Sequence, residues 1–100
     1  MMFGLSDIVI QELRQAFSLH PNIEKVLIFG SRAKGNYHEG SDIDLAIIGN
    51  SITADQLDDI RLQIEDLGLL YSVDILSYQE QADSPIGKHI DRVGQIFYKR

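Results

Sequence analysis

Two short apolar runs with a glycine turn between them constrain this chain most. Lys25-Val26-Leu27-Ile28-Phe29 stops at Gly30-Ser31, and Ile43 to Ile48 begins directly after Asp42 with Asp44 set inside it. Short runs of β-branched and aromatic residues bounded by glycine favour strands over helices. The first run does not alternate, so it reads as a buried central strand. The second, Asp42 to Ile48, alternates. Ile43, Leu45 and Ile47 point to one face, and Asp42 and Asp44 to the other.

The flanking segments carry a helical period. Ser6 to Leu19 places Val9, Leu13, Ala16 and Phe17 on one face, with Ser6 as cap, and His20-Pro21-Asn22 ends it. Thr53 and Gln56 have capping-box spacing before the stripe Leu57, Ile60, Ile64 and Leu67, and Gly68 closes that helix. Tyr71 to Leu76 reads as a third strand and Gln79 to Asp83 as a loop. Ser84 and Pro85 open a last helix with Ile86, Ile90, Val93 and Phe97 buried. The order is α-β-β-α-β-α. It predicts an α/β (α+β) fold, a small mixed β-sheet with helices packed on it.

With 100 residues, one domain spanning 1–100 is expected, and 44% hydrophobic content supplies a core. The absence of cysteine excludes disulfides, thiol nucleophiles and thiolate metal sites. No apolar run reaches transmembrane length, and Met1 to Gln15 lacks the basic start of a signal peptide. The expectation is a soluble cytoplasmic protein with no membrane partner. A formal charge of −6 argues against direct nucleic-acid binding. The charge is uneven, however. Arg32 and Lys34 lie in the glycine loop, Lys88, Arg92, Lys99 and Arg100 lie near the C-terminus, and the acidic excess falls between Glu39 and Asp83.

A Gly-Ser turn leaving a buried strand is either an ordinary strand-to-helix turn or an anion cradle. Glycine lets a ligand approach the backbone, and the following N–H groups with the Ser31 hydroxyl can converge on phosphate. Arg32 and Lys34 add positive charge. The spacing is neither the Walker pattern nor a dinucleotide fingerprint. Asp42 and Asp44 repel each other on one face and stay ionised together when a cation lies between them. Magnesium suits this role, because it takes few ligands from protein and the rest from phosphate and water. The bland alternative is a solvated strand edge. Asp74, inside Val73-Asp74-Ile75-Leu76, is either the third carboxylate of that surface or the partner of a cation such as Arg61 or Arg92. At roughly 7% usage per residue, the six fixed positions of Gly-Ser, Gly, Asp, Asp and Leu coincide about once in ten million starts, so chance is a poor account.

These residues resemble the nucleotidyltransferase superfamily that shares its palm-like fold with DNA polymerase beta. The family's Gly-Ser, ten residues, Asp-x-Asp pattern reads here as Gly30-Ser31, Arg32 to Ser41, Asp42-Ile43-Asp44. The likeness is greatest to the minimal, single-domain nucleotidyltransferases. Their Gly-Ser-x-Ala-x-Gly and Ser-Asp-x-Asp-Leu-x-Ile elements match Gly30 to Gly35 and Ser41 to Ile47. Their later aspartate matches Asp74, and their closing helix resembles Gly94-Gln95-Ile96-Phe97-Tyr98.

The resemblance implies a metal-dependent transfer of a nucleoside monophosphate. In that scheme Gly30 and Ser31 hold the phosphates, while Asp42, Asp44 and Asp74 carry two Mg2+ ions and the catalysis. Arg32 and Lys34 are assigned here to the pyrophosphate. It further implies ATP as AMP donor, a HEPN-family partner toxin modified on a tyrosine hydroxyl, and an antitoxin role. Hetero-oligomers are expected, because so short a chain lacks room for an acceptor domain, and a homodimer stays open. The competing reading is a binding module that neutralises the partner by contact. A small-molecule nucleotidyltransferase is disfavoured by length. His38 is read as a solvated loop residue and His89 as a surface or half-buried one. Tyr37, Tyr71, Tyr78 and Tyr98 are read as packing residues.

Overall fold

The computed structural model describes residues 2–100. In chain order the elements are α1 (Asp7–Ser18), β1 (Ile23–Phe29), α2 (Ser31–Lys34), β2 (Ile43–Gly49), α3 (Ala54–Asp66), β3 (Val73–Ser77), α4 (Tyr78–Gln81), α5 (Pro85–Val93) and β4 (Gln95–Lys99). The main elements keep the expected order. Two four-residue helices, α2 and α4, and the closing strand β4 are added to it.

The expected caps start the long helices. Ser6 accepts the Val9 N–H at 3.3 Å, Thr53 the Gln56 N–H at 3.1 Å, and Ser84 the Gly87 N–H at 3.1 Å. Each satisfies one donor that a helix start leaves unpaired. Pro85 occupies the first turn of α5, where its missing N–H removes no helical bond.

The four strands form one sheet in the order β3-β2-β1-β4. β1 is antiparallel to both β2 and β4, and β2 is parallel to β3. The parallel pair needs a long crossover, and α3 provides it. Ile43, Leu45 and Ile47 of β2 are buried with Val26 and Ile28 of β1, Ile75 of β3 and Phe97 of β4. Leu13 and Phe17 of α1 and Leu57, Ile60 and Ile64 of α3 cover that face. Strand alternation therefore turns Asp44 and Ala46 to the opposite face, where α4 touches β2 and α5 touches β1. Among the described residues no helix is long and apolar enough to cross a membrane.

The segment after Val93 departs from the sequence expectation. The stripe Ile86, Ile90, Val93 and Phe97 predicts a helix running through Phe97, but α5 ends at Val93 and Gln95–Lys99 is a strand. At Gly94 the backbone turns extended (φ −63°, ψ 140°), while its N–H still reaches the Ile90 carbonyl at 2.7 Å. As a strand the segment pairs with the edge of β1 that would otherwise lie open. Phe97 is fully buried, with its ring centroid 6.2 Å from Phe3 and 6.5 Å from Phe17. Helical spacing thus found the right buried residue on the wrong element.

Candidate active site

β1 delivers Gly30 to the edge of the site. Its last residue, Phe29, is the register partner of Asp44 on β2. Gly30 follows with φ 74° and ψ −154°, a conformation open in practice to glycine alone. A Cβ at this position would also overlap Asp44 Oδ2. Ser31 then opens α2, whose first-turn N–H groups have no helical partner. The Ser31 hydroxyl is half-buried and makes no hydrogen bond to another described residue. The turn, the serine and the carboxylate are therefore adjacent by construction.

Parallel pairing brings the second carboxylate. Asp44 and Asp74 are register partners across β2 and β3, so their side chains leave the same face side by side. Asp42 precedes β2 by one residue and shares the face of Asp44. Asp44 is half-buried, whereas Asp42 and Asp74 are exposed. The Asp44 carboxyl is raised above the usual aspartate value, first by burial and then by the negative charges of Asp74 and Asp42; His89 opposes the shift. The cation-pair alternative for Asp74 is not realised with Arg61. That guanidinium pairs with Asp58 at 2.8 Å and donates to the Ile75 carbonyl.

Among the described residues no three His, Asp or Glu side chains stand close enough together to hold one metal ion. The donor set still fits magnesium, which asks one or two carboxylates of the protein and completes its shell with phosphate and water. Asp44, crowded by two like charges and partly desolvated, is the group that a cation would relieve most.

Arg32 turns into the protein interior. Its side chain is 2% exposed. It donates to the carbonyls of Phe3 (2.8 Å), Ser41 (2.9 and 3.1 Å) and Glu39 (3.4 Å). The guanidinium also lies over the rings of Tyr37 and Tyr71, 5.2 and 5.0 Å from their centroids. It clamps the loop that carries Ser41 into Asp42. Lys34 on α2 is exposed. Gln95 of β4 donates to the Ala33 carbonyl at 2.7 Å and ties α2 to the sheet edge. His89, read from sequence as a surface or half-buried residue, also stands beside the site. It is half-buried on α5, edge-on to Phe29 with centroids 6.3 Å apart, and it opposes the upward shift of the Asp44 carboxyl. No local signal marked it, since its neighbours come from β1 and β2.

Among solved structures, a protein from Sulfolobus solfataricus assigned as a nucleotidyltransferase superposes with a TM-score of 0.59 at 28% identity, over 93% of this chain and 78% of that one. A toxin–antitoxin structure with AMP-PNP gives a TM-score of 0.70 at 19% identity, covering 96% and 75%. A mutant of the toxin–antitoxin pair MntA–HpeT gives 0.66 at 17%, covering 96% and 75%. At these identities the last two speak for the fold alone. None of the curated proteins is similar enough to count as a relative. The family described as polymerase beta, nucleotidyltransferase, matches residues 11–100. That span takes in the Gly30 turn, all three carboxylates and every strand of the sheet. The chain belongs to the polymerase beta nucleotidyltransferase family.

Proposed function

We propose that this protein is an antitoxin that transfers AMP from ATP to a hydroxyl of its partner, a tyrosine of a HEPN-family toxin. The observation that carries the reading is the register of Asp44 with Asp74, beside Asp42 and against Gly30. Gly30, Ser31 and the exposed Lys34 hold the phosphates. Asp42, Asp44 and Asp74 would hold two magnesium ions. When bound, these ions neutralise the triphosphate and stabilise the attacking and leaving oxygens. The chain's own part is to align the α-phosphorus with the acceptor oxygen. The new P–O bond forms as the bond to the β-phosphate breaks, pyrophosphate leaves, and the hydroxyl proton passes to solvent water. Arg32 has no contact role in this reading.

AMP-PNP in one structural neighbour supports an adenine nucleotide as donor. The other neighbour's two Asp-to-Glu changes, two residues apart, have the same spacing as Asp42 and Asp44. A contact-only antitoxin is the second reading. It is favoured by the lack of a ready three-ligand group among the described residues. Incubation with labelled ATP, magnesium and a HEPN-family partner separates the two. Transfer predicts label on the partner that disappears with Asp42→Asn or Asp44→Asn. Full neutralisation by those unlabelling variants would leave contact as the mechanism.

A further inference from the structure

The outer edge of β4 concentrates a charge opposite to that of the chain as a whole. A groove of about 590 Å³ between α1 and β4 is lined by Arg14, Ser18, Ile96 and Lys99 among others. A second, of about 480 Å³, is lined by Glu24, Lys25, Lys99 and Arg100. Four cations thus face one acid, Glu24, in a chain of formal charge −6. Among the described residues none of the four is in an ion pair. Lys25 and Lys99 are register partners, so two ammonium groups share one face of neighbouring strands. Like charges placed so are unfavourable until an anion lies over them.

Arg14 is held ready on the other side of the strand. Its Nε donates to the Phe97 carbonyl at 2.8 Å and its guanidinium lies 5.7 Å above the Phe97 ring. Its two terminal nitrogens bond no other described residue, which leaves a fixed fork of the kind that takes a carboxylate. β4 ends the sheet, and Ile96 on it is 53% exposed. We propose that this edge docks an extended acidic segment of a partner protein, with its carboxylates on Arg14, Lys25, Lys99 and Arg100 and an apolar side chain over Ile96. A strand edge beside an exposed isoleucine matches a polypeptide better than a phosphate backbone. Arg14 already occupies the Phe97 carbonyl, so side chains rather than a full ladder carry the contact. The surface lies at the Lys25 end of β1, roughly 16 Å along the strand from Gly30. It does not depend on the nucleotide reading.

The test uses the full chain, labelled with 15N, and a short peptide of alternating glutamate and valine. Expected are amide shifts across Gln95 to Lys99 and at Lys25, none at Gly30 and Ser31, and none with the peptide in which lysine replaces glutamate. Lys25→Glu combined with Lys99→Glu alters side chains outside the core and weakens binding by about tenfold. Three results overturn the proposal: no shift at β4, equal affinity in the double variant, or an oligouridine RNA that shifts these amides where the glutamate peptide does not.

Discussion

Asp44 Oδ2 occupies the space that the Cβ of any other residue at position 30 would need. The same glycine sits at φ 74° and ψ −154°, so two independent demands select it. Gly30→Ala should cost about 2–3 kcal/mol, from backbone strain and the displaced carboxylate together. That corresponds to a fall of roughly 10 °C in melting temperature. Asp44→Ala in the Gly30→Ala background removes the overlap but not the strain. Thermal melts of the four proteins should therefore show a coupling of about 1 kcal/mol. Additive effects would mean that the two residues do not meet.

Burial and charge crowding at Asp44 act on stability with a definite sign. A raised carboxyl in the folded state binds its proton more tightly than the unfolded chain does. Stability is therefore lost as pH rises from the ordinary 3.8 through the raised value. Asp44→Asn should be the more stable protein at neutral pH, by up to about 1 kcal/mol for relieved like-charge opposition. The gap should close as pH falls below 3.8. Magnesium should reverse it, stabilising the wild type by mass action and the asparagine variant much less. Denaturant titrations across pH, with and without magnesium, measure both effects.

Arg32 carries a prediction opposite to the one its loop position suggests. Its guanidinium satisfies the carbonyls of Phe3, Glu39 and Ser41 in a buried setting against two tyrosine rings. Arg32→Met should cost about 3 kcal/mol, because the carbonyls lose their donors. Arg32→Lys should recover little, since a point charge cannot reach the separated acceptors as a planar fork does. A direct phosphate contact would give the reverse pattern, with near-normal melting, weakened ATP binding and partial rescue by lysine.

Local pattern was enough for what local pattern determines. The alternation of Ile43, Leu45 and Ile47 against Asp42 and Asp44 placed the carboxylates on the face away from the core, and the serine and threonine caps started the helices where expected. The pairing of Asp44 with Asp74 needed β3 to lie parallel beside β2. Sequence could pose that condition but not decide it. Phe97 was legible as buried and illegible as strand, because i, i+4 spacing and an edge pairing with β1 bury the same ring. The contacts of Arg32 and the place of His89 beside Asp44 were illegible for one reason. The groups that define their surroundings, the Phe3 carbonyl and the Phe29 ring, are remote in sequence.

The strand that replaces the expected helix end also reaches the Gly30–Ser31 turn. Gln95 Nε2 donates to the Ala33 carbonyl at 2.7 Å, so the first residue of β4 fixes the short helix that begins at Ser31. Gln95→Ala should cost about 1 kcal/mol in stability for the lost bond. Its larger effect should fall on nucleotide affinity, since α2 and Ser31 would sample more positions before ATP binds. Calorimetric titration of ATP into the variant should show weaker binding with a less favourable entropy, as more order is gained on binding. If Gln95→Ala binds ATP as the wild type does, α2 holds its own shape, and the contact from β4 contributes to stability alone.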